Sequence, residues 1–422
     1  MNYLILGASA AGLSAVKAIR QSDGRGNITV LSPDRFIYSR CLLPDIISGS
    51  RDATAARFVP VDFMEKFNVR WFGGVKATGL LAEEKTVMAD TGDSFYFDKL
   101  LIATGASAFL PPVENIRRAH QVYSLRNLED AGAIIKAAER CRQVVVMGGG
   151  LIGVDIAIAL NEKGLSVTIV EAAAHILPLQ LDQKAAVRYE DIILERGIDI
   201  ITGEMATKIM LDGKENVTGV QLKSSRVVPC GMVASAAGVR PNVSFLEGTT
   251  VDVGRGVRVN EYQDTSLQNI YAAGDVCESF EAFSGQITTT PIWPLAVLQG
   301  RVAGYNMAGT RRRLANNFAY RNSMHFYGLP TVSFGLTSAP GPGYDTYTEE
   351  QGGCYKKFIL KDGCLRGAII QGDIAGAGVF GALIRESIPV SGLNGQLSDI
   401  SYADFFNQQE DGGFVYSSNL SG

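Results

Sequence analysis

The sequence predicts an α/β fold: two doubly wound units with parallel sheets, followed by a C-terminal α+β unit. Three observations predict it. One glycine-rich strand–turn–helix–strand motif occurs twice, over residues 2–31 and 143–170. Its strands are uninterrupted apolar runs, as strands buried on both faces are. From about Arg313 the pattern changes to the period-two alternation of antiparallel strands.

In the first copy, the apolar run 2–6 leads into Gly7-Ala8-Ser9-Ala10-Ala11-Gly12, a helical pattern to about residue 21 and a second strand over 27–31. In the second, 143–147 leads into Gly148-Gly149-Gly150-Leu151-Ile152-Gly153, a helix to about residue 163 and a strand over 166–170. Between them, residues 100–105 form a buried strand ending in the tight turn Ala103-Thr104-Gly105, and Pro111-Pro112 marks a crossing between domains. A second crossing is expected at 236–241, and residues 270–275 give another strand ending at Gly274-Asp275. Further on, 331–334, 355–360 and 365–370 read as antiparallel strands, with Lys361-Asp362-Gly363 as a hairpin turn. A chain of 422 residues exceeds the roughly 250–300 residues one core supports, so several domains are expected. The expected division is 1–111 with 236–312, an insertion at 112–235, and 313–422.

The second copy carries the fuller chemistry. Gly148 permits the tight turn, Gly150 lets backbone approach a pyrophosphate, and Gly153 lets helix and strand pack closely. The N–H groups that open the helix, around Leu151 and Ile152, face the phosphates. Glu171 ends the following strand, 23 residues after Gly148, where a carboxylate accepts hydrogen bonds from ribose hydroxyls. Ala172-Ala173-Ala174 offers no arginine to a 2′-phosphate, which favours NAD(H) over NADP(H). The first copy departs from this pattern. Ser9 stands at the middle glycine, the strand ends at Leu31-Ser32, and either Ser32 or Asp34 is left to hold a ribose. Small residues at Ala10 and Ala11 still admit a pyrophosphate.

Net charge is −4, which argues against a nucleic-acid or anionic-membrane binder. The short basic run Arg311-Arg312-Arg313 reads as a solvated loop. No apolar run reaches the roughly 18 residues of a membrane span, and no secretory leader precedes the first strand, so a cytoplasmic protein is expected. The six cysteines (41, 141, 230, 277, 354 and 364) form no C-x-x-C pair, so no metal site is expected from this chain. Cys354 and Cys364 flank the hairpin turn and read as packing residues. His325 reads as a core or interface histidine.

Over residues 1–310 the chain resembles the FAD-dependent pyridine nucleotide-disulfide oxidoreductase family. The two glycine fingerprints, the Ala103-Thr104-Gly105 turn and the segment Tyr271-Ala272-Ala273-Gly274-Asp275 occur in that family's order. The resemblance implies two Rossmann-like dinucleotide-binding domains, FAD in the first and NAD in the second, with the NAD domain inserted in the FAD domain. It implies an FAD site of Gly7, Ser9, Ala10, Ala11, Gly12, Ser32, Arg40, Cys41, Ala103, Thr104, Gly105, Gly274, Asp275 and Trp293. Asp275 would meet the flavin's ribityl chain, and Trp293 would flank the flavin or simply pack. The NAD site would hold Gly148, Gly150, Leu151, Ile152, Gly153, Glu171 and Gly238. Asp155, two residues past Gly153, stands where the family places a glutamate near the nicotinamide.

The electron acceptor is open at this level. Cys41, in Tyr38-Ser39-Arg40-Cys41-Leu42-Leu43-Pro44, stands where the family's redox cysteines face the flavin, but Ile46 replaces the second cysteine of the dithiol motif. A single cysteine resembles the coenzyme A-disulfide reductase and NADH oxidase subgroup, and a helix N-terminus with Arg40 would favour its thiolate; the alternative is that Cys41 merely packs against the flavin edge. The same stretch, with residues 322–330 and 367–373, also resembles flavin subunits such as that of phenylglyoxylate dehydrogenase. Those subunits exchange electrons between iron–sulfur partners and NAD. A third reading is a flavoprotein that signals through an NADH-induced change. The C-terminal unit would then serve as a dimer or partner interface.

Overall fold

The computed structural model describes residues 1–390, 397–408 and 414–416. Its first sheet is parallel, in the order Ile270–Ala272, Lys99–Ile102, Asn2–Leu6, Asn27–Ser32, Val69–Gly73. The second is parallel too, in the order Ile198–Ile201, Ser166–Val170, Gln143–Met147, Met232–Ser235, Val122–Ser124. In both, the strand feeding the glycine turn is central. Leu4, Ile5 and Leu6 are buried in one, and Val144, Val145 and Val146 in the other. A central parallel strand is covered on both faces, which is why these runs are apolar without alternation.

In chain order the helices are α1 (Ala10–Ser22), α2 (Leu43–Ser48), α3 (Phe63–Lys66), α4 (Leu128–Ala138), α5 (Leu151–Glu162), α6 (Gln183–Glu195), α7 (Trp293–Met307) and α8 (Gly378–Glu386). Two starts are legible locally. Asn127 and Asp130 close a capping box on α4, and the Asp182 side chain accepts from Ala185 N at the start of α6. Helices α1 and α7 cross at very short range. A Cβ on Gly300 would lie 2.0 Å from the Ala11 carbonyl oxygen, and one on Gly304 2.5 Å from that of Ala15. Only glycine permits that approach, and it sets the start of α7, Trp293, against the first glycine turn.

The two crossings between the sheets lie side by side. Ala106–Ala108 and Val239–Pro241 pair as an antiparallel ribbon. Asn242 Nδ2 donates to the Thr104 carbonyl and Thr104 Oγ1 donates to that of Asn242, both at 2.9 Å.

The C-terminal sheet is antiparallel, in the order Arg321–Phe326, Leu329–Gly335, Cys364–Gln371, Cys354–Lys361, Asp345–Gln351, with α8 packed on it. Its central hairpin turns at Asp362 and Gly363 with φ of 51° and 74°, a type I′ pattern. This sheet docks on α6. Tyr355 Oη and Lys357 Nζ both reach Asp182 Oδ2, at 2.7 and 2.8 Å, and Tyr189 Oη donates to the Leu329 carbonyl. His325 lies on an exposed strand position, not in a core. Its neighbours Met324 and Phe326 point inward instead, as strand alternation requires. The basic run is paired: Arg311 bonds Asp264 and stacks over Tyr262, and Arg312 lies over Tyr305. Cys354 and Cys364 are free thiols. Among the described residues, no helix is long and apolar enough to cross a membrane, and no group of three or more His, Cys, Asp or Glu is placed to hold a metal ion.

Candidate active site

One continuous cavity of about 1600 Å³ runs from the first glycine turn to the second. A single drug-sized ligand occupies roughly 300–1,000 Å³, so this space suits more than one. Its wall includes Gly7, Ser9, Ala10, Ala11, Ser32, Arg40, Cys41, Ala103, Thr104, Gly105, Gly274, Asp275 and Trp293. The second turn contributes Gly148, Gly150, Leu151, Ile152, Glu171 and Gly238. Three expected site residues lie outside the wall: Gly12, Gly153 and Asp155.

For the two glycines the reason is packing. A Cβ on Gly12 would sit 1.9 Å from the Gly7 carbonyl oxygen, and one on Gly153 1.8 Å from that of Gly148. Each lets its helix close on its own turn, behind the cavity. Gly7 and Gly148 make that turn at φ of +122° and +107°. Gly150 meets nothing within 4 Å, so a side chain there would project into open space. That gap is what a bound diphosphate needs to reach the backbone, and the first N–H groups of α5 face it. In the first unit Ser9 fills the corresponding place and caps α1 without a side-chain hydrogen bond. Both turns therefore fit a dinucleotide, the second with more room.

Glu171 is held in position before any ligand arrives. Its carboxylate accepts from Gly149 N at 2.6 Å and Ala173 N at 2.8 Å. In the first unit Ser32 is buried at the strand end and its Oγ accepts from Asp34 N. Asp34 is taken up elsewhere: Tyr38 Oη donates to it at 2.8 Å and Arg40 pairs with it at 2.6 Å. Of the two candidates for the ribose, Ser32 has the free hydroxyl.

Cys41 opens onto the cavity in a short turn, Arg40–Leu42, ahead of the six-residue α2. An activated thiolate does not follow. Burial by the surrounding protein pushes the thiol's pKa up; a hydrogen bond from Ser39 opposes this, the carboxylates of Asp155 and Asp275 add to it, and Arg126 opposes it. The guanidinium expected to help, Arg40, is turned away, bonding Asp34 and the Arg126 carbonyl.

Asp155 is absent from the cavity wall itself. It lies in α5, which packs on α2, and its carboxylate acts on the Cys41 thiol that opens onto the cavity. Burial, with Asp45 nearby, raises its pKa to about 7.

Two side chains escape a reading of the sequence. Arg126, just before the α4 cap, reaches across to Asp275 with Nη2 at 2.6 Å and to the Ala106 carbonyl with Nε. Gln299, in α7, accepts from Gly274 N at 2.8 Å and so fixes the turn that carries Asp275. Arg126 lies 149 residues from its partner, and no local pattern announces it. Trp293 stands edge-on to Phe58, with ring centroids 4.9 Å apart.

Two glycine turns on two parallel sheets, facing one cavity, have counterparts among known proteins. The family model for pyridine nucleotide-disulphide oxidoreductases matches residues 1–300. The chain belongs to this family. It is an FAD-dependent NAD(H) oxidoreductase, and FAD and NAD(H) are its cofactors. It is 31% identical over 388 residues to the NADH-dependent phenylglyoxylate dehydrogenase subunit epsilon of Aromatoleum evansii, spanning 90% of this chain and 91% of that one. It is 30% identical to the NADH-rubredoxin oxidoreductase of Clostridium acetobutylicum, spanning 92% and 94%. Among solved structures, an NAD-dependent persulfide reductase from A. fulgidus superimposes with a TM-score of 0.83 at 27% identity, covering 94% of this chain and 79% of that one.

Proposed function

We propose that this oxidoreductase subunit passes electrons between NAD(H) and an iron–sulfur protein, rather than reducing a disulfide through Cys41. The environment of Cys41 carries this reading. A thiol with a raised pKa, two carboxylates near it and the neighbouring arginine turned away is poorly prepared to attack a disulfide. The likenesses to a phenylglyoxylate dehydrogenase subunit and to a rubredoxin oxidoreductase support the same direction.

In this reading residues 1–111 and 236–312 hold FAD, 112–235 hold NAD(H), and 313–422 give an interface to a partner or a second copy. The chemistry FAD supplies when bound is exchange between hydride and single electrons. The chain's residues do the holding. The Gly7 turn and α1 receive one diphosphate, and the Gly148 turn and α5 the other. Glu171 takes ribose hydroxyls, and Asp275 is steadied for the ribityl chain by Arg126 and Gln299. Trp293, backed edge-on by Phe58, lines the first unit's side of the cavity.

Cys41→Ser tests the reading. It is expected to keep NADH-dependent reduction of rubredoxin within about threefold of the parent. Loss of that reduction by more than tenfold, with FAD content unchanged, would overturn the relay in favour of a thiol mechanism.

A further inference from the structure

The strand-end acid of the second unit does not stand alone. Along the cavity wall between 143 and 241 the charged side chains are Glu171 and Glu204, both carboxylates. Their backbones are tied together. Glu204 N donates to the Glu171 carbonyl at 3.1 Å, and Gly203 N donates to that of Ala173 at 2.7 Å. The loop 202–204, which follows the strand Ile198–Ile201, is thereby closed onto residues 171–173. Glu204 is half-buried. Among the described residues its carboxylate accepts one long bond, from Ser224 N at 3.3 Å, and pairs with no cation.

This strand end is where a 2′-phosphate is accepted or refused. An acid here takes the adenosine ribose hydroxyls, whereas a nucleotide carrying a 2′-phosphate is met by an arginine nearby. Beyond Glu171 stand Ala172, Ala173 and Ala174, and the loop closed onto them brings a second carboxylate instead of a cation. Apolar side chains flank it on the same wall: Met205, 54% exposed, and Leu179, 82% exposed. Apolar side chains around a few placed polar groups are the usual lining of a ligand pocket. The first unit ends its strand differently, with Ser32 and the cations Arg35 and Lys76 on the wall. The acidic pair therefore belongs to the second site and does not come with the glycine turn.

We propose that Glu204 is a second specificity determinant of the nucleotide site, a carboxylate set to repel the 2′-phosphate of NADPH. The proposal rests on the adenosine of NAD(H) lying at Glu171. A phosphate monoester carries about −1.5 to −2 charges at neutral pH, and its repulsions by two carboxylates add. NADPH is then refused by a charge placed against it, beyond any contact made with NADH.

The test measures kcat/KM for NADH and NADPH in the FAD-loaded protein, with menadione as acceptor. In Glu204→Gln the ratio for NADPH over NADH is expected to rise about five- to tenfold, through a lower KM for NADPH. Glu204→Arg should raise it further, and the double variant of Glu171→Gln with Glu204→Gln should exceed either single one. In the parent, KM for NADPH should fall as salt screens the repulsion. That slope should flatten in Glu204→Gln, which a mere repacking of the loop would not produce. A ratio within about twofold of the parent in both Glu204 variants overturns the proposal. So does a ratio that rises only because NADH binding weakens, which would make Glu204 a contact for NADH. If Glu171→Gln leaves NADH binding unaffected, the placement of the adenosine falls and this proposal with it. If Glu171→Gln weakens NADH binding and the Glu204 variants behave as the parent, this proposal alone falls.

Discussion

The two glycine-rich units solve one backbone problem and then part company. In both, the first glycine turns at positive φ and the last is closed on by the first glycine's carbonyl, at 1.9 Å from a notional Cβ in one and 1.8 Å in the other. The side chains around them differ at corresponding positions. Ser9 stands against Gly150, Ser32 against Glu171, and two residues past the last glycine Ser14 stands against Asp155. The first unit is joined by groups from far along the chain, with Arg126 bonded to Asp275 and Gln299 to Gly274. The glycines therefore encode the turn, and the identity of the nucleotide is encoded elsewhere.

The largest test of that comparison is to fill each packing glycine separately. Gly12→Val and Gly153→Val both push a side chain into carbonyl oxygen, at a cost of about 1–3 kcal/mol or more. Gly12→Val is expected to lose FAD, seen as flavin absorbance relative to protein. Gly153→Val should retain FAD and lose NADH binding by titration. Equal loss of FAD in both would mean that the two units are not separable.

Asp155 sharpens the contrast through pH. Its folded pKa is raised to about 7, above the ordinary aspartate value, so the folded state holds a proton that the unfolded state has released. Its contribution to stability is complete below the unfolded pKa and is lost as pH rises toward 7. Asp155→Asn should remove this decline and leave the variant more stable than the parent at pH 8, by on the order of 1–3 kcal/mol in denaturant titrations. Ser14→Ala, at the corresponding place in the first unit, should show no such pH dependence. A parent whose stability is flat between pH 5 and pH 8 would refute the raised pKa of Asp155.

The smallest effect concerns the strand-end acid. Glu171→Gln removes the charge and, with a single acceptor oxygen, keeps one of the two backbone hydrogen bonds; it should weaken NADH binding about five- to tenfold, or roughly 1 kcal/mol. NADPH binding should weaken less or improve, since the charge that repels its 2′-phosphate is gone. A parent that turns over NADPH as well as NADH would remove Glu171 from the specificity argument.

Much of the fold is local and so was readable. Apolar runs of five residues, glycines at fixed spacing and the Asp362-Gly363 turn each force one backbone answer with near neighbours only. The second nucleotide site shares that quality, because Gly148, Gly150, Gly153 and Glu171 lie within one strand–turn–helix–strand unit. The tertiary structure alone decided what depends on distant partners. Arg40 looked like an activator of Cys41 until Asp34 and the Arg126 carbonyl were seen to hold it. The raised pKa of Asp155 comes from burial and from Asp45, a carboxylate on another helix. Hydrogen bonds and burial set the charge of a side chain, and both come from residues tens to hundreds of positions away, beyond the reach of any periodicity.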